Sequence, residues 1–165
     1  MLLVVIDFQE RIAKHIKGIE KVLKNTRKLI KAFEIFGMPI IYTKQINLGE
    51  TVFGKDAIEK SSFSCWQEEK FVEEVEKIGS NGVIITGIET HICVIQTAMD
   101  MKKAGYDVEV AIDCTGSRDE EQKKIAIERM KQEGIKLTSS EMVIYSVMKD
   151  ANHPKFKDIL PLIKE

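Results

Sequence analysis

The sequence predicts a three-layer α/β/α fold around a mostly parallel, Rossmann-like sheet. Two observations carry this. Apolar runs of strand length alternate with amphipathic runs of helix length along the whole chain, and repeated β–α units imply parallel strands, right-handed crossovers and helices on both faces. The first run, Leu2–Ile6, is continuous and largely β-branched, as expected for a strand buried on both sides.

The elements follow in order. Residues 19–36 repeat apolar side chains at helical spacing through Val22, Leu23, Leu29, Ile30 and Phe33, then stop at Gly37. Residues 39–42 form the second strand. Residues 44–63 show no clear period and contain Gly49 and Gly54, and a stretch of that length without regular structure is commonly functional. A helix is expected over 68–77, a strand over 83–86 and a helix over 92–104, ended by Gly105. A strand over 107–112, a helix over 118–133 ended by Gly134, and a strand over 135–138 complete the sheet. Residues 140–148 and 156–163 read as two further helices. No linker, internal repeat or low-complexity segment interrupts the pattern, so residues 1–165 read as one domain.

The composition excludes several classes. A net charge of −1 offers no electrostatic case for nucleic acid or an anionic membrane. No apolar run approaches the ~20 residues of a membrane span. The segment Met1-Leu2-Leu3-Val4-Val5-Ile6-Asp7 has no basic region and meets an acid early, which reads as a strand rather than a leader. Three scattered cysteines make neither a disulfide framework nor a zinc site, and His15, His91 and His153 are far apart. A cytoplasmic protein with reduced thiols, and no metal or other cofactor, is the expectation.

In a parallel sheet the C-terminal strand ends share one rim, the usual place for ligands. Asp7 follows the first strand, the 44–63 segment the second, residues 89–93 the third and residues 113–117 the fourth. An acid and a thiol therefore converge. Cys93 opens a helix-like run after Gly82-Val83-Ile84-Ile85-Thr86-Gly87. A helix start favours thiolate, so a thiol pKa below the ordinary range is expected.

Gly87-Ile88-Glu89-Thr90-His91-Ile92-Cys93-Val94 resembles the nucleophile segment of the isochorismatase-like cysteine hydrolases. Val4-Val5-Ile6-Asp7-Phe8-Gln9 resembles the segment that supplies that family's acid, and Lys60-Ser61-Ser62-Phe63-Ser64 the one that supplies its lysine. The resemblance spans nearly the whole chain. Tyr42-Thr43-Lys44-Gln45 and Ala151-Asn152-His153-Pro154-Lys155-Phe156 look most like the small isochorismatase domain-containing proteins.

The resemblance implies a triad of Cys93, Asp7 and Lys60. It also implies an oxyanion hole from the backbone N–H groups of Glu89 and Cys93, with a cis bond before Glu89 whose side chain need not enter the pocket. The implied substrate is a small molecule, an amide or another C–N compound, and the implied assembly a homo-oligomer. Nicotinamidase-type members carry an Asp-x-His metal site after the second strand. This chain has Thr43-Lys44-Gln45-Ile46-Asn47-Leu48 there, which argues against that branch.

Gln9, Phe63 and Trp66 are assigned to substrate binding, with backbone bonding for Gln9 and core packing for the two aromatics as the alternatives. His91 is read as structural, Cys65 and Cys114 as buried hydrophobes, and Cys114 as lying on the functional rim. Two rival functions stay open: hydrolysis of another acyl or vinyl-ether bond, and a non-catalytic interaction or redox-sensing role for Cys93.

Overall fold

The computed structural model describes residues 1–164. The chain runs β1 (Leu2–Ile6), α1 (Glu10–Ala13), α2 (Ile19–Phe36), β2 (Ile40–Gln45), β3 (Ile58–Lys60), α3 (Glu69–Ile78) and β4 (Gly82–Ile88). It continues α4 (Ile95–Lys103), β5 (Asp107–Gly116), α5 (Glu120–Gln132), β6 (Lys136–Thr138), α6 (Ser140–Met148) and α7 (Phe156–Lys164). The six strands pair in parallel in the order β3-β2-β1-β4-β5-β6.

Strand alternation divides the core in two. Leu3, Val5, Ile84, Ile88, Ala111 and Cys114 face α2, α6 and α7. Leu2, Val4, Ile6, Val83, Ile85 and Val110 face α3, α4 and α5. Both faces of β1 are thus dry, which accounts for its unbroken apolar run. The strand order reverses between β1 and β4, and a crevice opens beyond the strand ends at such a switch point.

Three elements differ from the sequence expectation. A short edge strand, β3, lies inside the 44–63 stretch and pairs only with the last three residues of β2. Its three residues are too few to show a period. The four-residue helix α1 has the same excuse. β5 runs four residues further than expected, through Asp113 to Gly116, with a register shift against β4 between Ile85 and Gly87. Cys114 is therefore a wholly buried strand residue in the α2/α6 core, not a member of a rim loop.

Gly87 is the tightest point of the sheet. Its φ is +147°, and a Cβ there would stand 2.5 Å from Ile6 Cβ and 2.6 Å from Ile6 O. Backbone atoms cannot yield as a flexible side chain can. Gly87→Ala should therefore destabilise the protein by roughly 2–4 kcal/mol and displace the end of β1 that carries Asp7. Chemical denaturation checks the first effect. A stability unchanged from the parent would show that β1 and β4 can part without cost.

Candidate active site

Four strand ends at the switch point supply the site. Asp7 is the first residue past β1, and its backbone N–H donates to Thr43 O at 3.2 Å. Its φ of +52° is left-handed, a region that aspartate tolerates better than most residues. The carboxylate is buried, 2% exposed. Oδ1 accepts from Thr43 Oγ1 on β2 at 2.8 Å.

Lys60 ends β3 and is equally buried. Its Nζ stands 2.8 Å from Asp7 Oδ2. It donates to Gln45 Oε1 at 2.6 Å and to the carbonyls of Ser62 and Phe63, both at 2.9 Å. It also reaches Cys93 Sγ at 3.7 Å. Its three N–H bonds are shared among these acceptors, and the Asp7 Oδ2 contact is a close, buried ion pair.

The cage around the ammonium is itself held. Glu68 Oε1 accepts from Ser61 N at 2.9 Å, Ser62 N at 3.0 Å and Ser62 Oγ at 2.7 Å. Those bonds, the Ser62 backbone N–H first, hold the Glu68 carboxyl below its ordinary pKa. Gln45 Nε2 donates to Ser61 O at 2.7 Å. Neither Glu68 nor Gln45 was foreseen. Their signal, polar side chains folding back on a serine turn, lies in contacts and not in spacing.

Cys93 lies in a π-helical turn, Thr90–Val94, that precedes α4. The Glu89 carbonyl accepts from Ile92 N at 3.2 Å and Val94 N at 3.3 Å. Such wide turns recur at functional sites. The Ile88–Glu89 peptide bond is cis. The Glu89 side chain is 2% exposed and is not idle. Its Oε1 accepts from Arg118 N at 2.9 Å and pairs with Arg118 Nε at 3.1 Å. The side chain thus ties the cis junction to the loop after β5. His91 Nδ1 lies 2.9 Å from Ser117 Oγ and serves the same junction.

The electrostatics reverse one expectation. Burial first, then the Asp7 charge, pushes the Cys93 thiol up to about 12, against the opposing pull of Lys60. A helix start does not offset the loss of water in this dry position. Burial alone pulls Lys60 down, but Asp7, Cys65 and Cys93 outweigh it and its pKa is raised. The resting site therefore holds an ammonium, a carboxylate and a protonated thiol.

A cavity of about 80 Å3 lies over these groups, with Asp7, Phe63, Glu89 and Cys93 in its walls. Phe63 is 55% exposed at its mouth. Two sequence-assigned binding residues lie elsewhere. Gln9 is fully buried and spends its amide on backbone: Nε2 donates to Gln45 O at 3.0 Å and Gly49 O at 2.7 Å, and Oε1 accepts from Gln45 N at 2.8 Å. It clamps the segment after β2. Trp66 packs edge-on against Tyr106 and Phe71, with ring centroids 5.2 Å and 6.4 Å apart. Cys65 is fully buried beside Thr43, Sγ to Oγ1 3.8 Å, and burial raises its pKa to about 12. Among the described residues, no three His, Cys, Asp or Glu side chains cluster as metal ligands, and no helix is long and apolar enough to cross a membrane.

Known proteins resemble this chain over nearly its whole length. The chain is 33% identical to isochorismatase family protein 1A of Dictyostelium discoideum, over 99% of this chain and 86% of that one. It is 34% identical to isochorismatase domain-containing protein 1 of Danio rerio, of which it spans 59%. It is also 34% identical to the secreted isochorismatase effector Isc1 of Phytophthora sojae, over 99% and 84%. The structure of the MAR1 ribonuclease of Caenorhabditis elegans superposes with a TM-score of 0.92 at 33% identity, over 99% and 89% of the two chains. The ycaC gene product of Escherichia coli, an octameric hydrolase of unknown specificity, superposes with a TM-score of 0.86 at 23% identity, over 99% and 93%. The isochorismatase domain itself matches over residues 1–57 and 47–142, a span that holds Asp7, Lys60 and Cys93 together, and with it the chain belongs to the isochorismatase family of hydrolases.

Proposed function

We propose that the protein is a cysteine-dependent hydrolase of a small molecule, cleaving an amide or related C–N bond. The observation that carries this reading is the buried contact of Lys60 Nζ with both Asp7 Oδ2, at 2.8 Å, and Cys93 Sγ, at 3.7 Å. A dry ion pair beside a thiol costs more to build than a packed apolar core would, and chemistry is the return.

The steps balance as follows. Asp7 Oδ2 takes the thiol proton as Cys93 Sγ attacks the carbonyl carbon. Backbone N–H groups of Glu89 and Cys93 receive the oxyanion, each such donor being worth about 3 kcal/mol. Collapse breaks the C–N bond, and Asp7 returns its proton to the departing amine, leaving a thioester. Asp7 then deprotonates a water that adds to the thioester. Collapse of that adduct releases a carboxylic acid and restores the thiol. Lys60 stays protonated throughout and offsets the sulfur's developing charge. A raised thiol pKa suits this scheme, because the proton leaves only when Asp7 and the incoming carbonyl are both in place.

Two other readings fare worse. A peroxide sensor needs an accessible, low-pKa thiol, whereas this one is buried and pushed up to about 12. An RNA-cleaving role, by analogy with the Caenorhabditis protein, needs cations that follow a phosphate chain. No lysine or arginine lines the pocket. Three buried free cysteines fit a reducing compartment, so we assign the protein to the cytoplasm. We also propose a homo-oligomer, as in the octameric Escherichia coli relative.

A screen of small amides and ureides for released ammonia, run with a chelator present, tests the reading. At least one compound should turn over, Cys93→Ala should abolish it, and quenched protein should carry the acyl mass on the Cys93 peptide. Turnover retained by Cys93→Ala would end the thioester scheme.

A further inference from the structure

The walls of the pocket over Cys93 narrow the substrate further. Ile12, Leu48, Phe63, Ile88 and Ile92 supply its apolar lining. They come from α1, the segment after β2, the turn after β3, and β4 with the π turn after it. The volume, about 80 Å3, admits only a small group.

The polar lining is already committed. Gln45 Oε1 and Nε2 are both used, on Lys60 and Ser61. The Asp7 and Glu89 carboxylates are already paired, with Lys60 and Arg118, and no cationic side chain lines the cavity. Lys60 is enclosed by its own cage and by Asp7, with a side chain 1% exposed. Arg118 is 61% exposed, and its Nε is directed at Glu89. A substrate carboxylate entering here would lose its water among apolar walls and find no uncommitted cation to receive it.

Resting on the hydrolase reading above, we propose that this pocket accepts short, neutral, aliphatic acyl groups and rejects substrates that carry a carboxylate beside the scissile bond. The apolar walls take the acyl chain, and the carbonyl meets the Cys93 sulfur. The leaving amine exits past Phe63. Charge selection comes from the apolar lining and the lack of a free cation in it, and length selection from the small volume.

Two measurements test this without depending on each other. The first needs no turnover. Cys93 is alkylated with iodoacetamide and with iodoacetate, reagents of one size that differ in charge, and the labelled peptide is read by mass. The ratio of rates, divided by the same ratio for a neutral reference thiol, should favour iodoacetamide by more than about tenfold. A normalised ratio near one, or one favouring iodoacetate, overturns the charge selection and points to Arg118 as a carboxylate receptor.

The second is a series of acetamide, propionamide, butyramide, hexanamide and succinamate. kcat/KM should peak at propionamide or butyramide and fall at least about tenfold for hexanamide and for succinamate. A maximum at hexanamide or succinamate overturns the proposal while leaving a hydrolase. If no amide acylates Cys93, the hydrolase reading fails, and the alkylation ratio alone decides whether the pocket is selective.

Discussion

Asp7→Asn should lose turnover by about 10²–10⁴-fold and at the same time make Cys93 easier to alkylate. The two effects run in opposite directions for one reason. Asp7 is the proposed proton acceptor, so its loss stops the chemical step. Its charge is also the second cause, after burial, of the raised thiol pKa. Without that charge burial still opposes thiolate, but Lys60 is opposed less and the thiol pKa falls. Asparagine suits the test because it tolerates the φ of +52° at this position and its Oδ1 can still accept from Thr43 Oγ1.

The check is the pH dependence of iodoacetamide labelling, read at the Cys93 peptide. In the parent protein the rate should still be rising at pH 10, on the way to a titration near 12. In the variant the curve should shift to lower pH. Loss of turnover with labelling unchanged or slowed would mean that Asp7 acts by holding Lys60 in place, not by taking the proton.

The fold was legible because its signals are local. β1 and β4 are apolar runs, β5 opens with alternating acids and valines, and α2 is a periodic stripe closed by Gly37. Asp7 and Cys93 were legible for the same reason, since each sits next to a strand whose end is visible. Lys60 was not legible from pattern. It ends a three-residue strand inside a stretch without a period, and only the resemblance of Lys60-Ser61-Ser62-Phe63-Ser64 to a family segment singled it out.

The errors share a physical cause. Gln9 follows Asp7 by two residues, which suggests a shared pocket, yet its amide is consumed by the backbone of residues 45–49. Trp66 lies near Lys60 in sequence but turns into the α3/α4 core. A helix terminus, a first-turn effect worth about a kcal/mol, and the Lys60 charge both favour thiolate at Cys93. Desolvation and a neighbouring carboxylate are larger, and neither can be read from a linear spacing. Glu68 and Arg118 escaped notice because their work is to hold loops, and loop contacts leave no periodic trace.

Lys60→Met should cost about 3–5 kcal/mol of stability as well as orders of magnitude in turnover, and the two losses can be separated. Methionine replaces the aliphatic stem but strands the Asp7 carboxylate, 2% exposed, with Thr43 as its remaining donor. A buried charge deprived of its partner is what makes such a variant unstable. The double variant Asp7→Asn with Lys60→Met removes both charges. It should recover most of the lost stability, as expected when two sites are coupled through one contact, while turnover stays at the floor.

The pH dependence supports the assignment. The Lys60 pKa is raised in the folded protein, so its contribution is complete below the unfolded value of ~10.4 and is lost as pH rises through the folded one. The deficit of Lys60→Met should therefore be full at neutral pH and shrink in strong alkali. Urea denaturation at pH 7 and above pH 10.5 reads this directly. If the double variant is no more stable than Lys60→Met, the instability belongs to the cage formed by Gln45, Ser62 and Phe63, and the Asp7–Lys60 pair is not what holds this end of the sheet together.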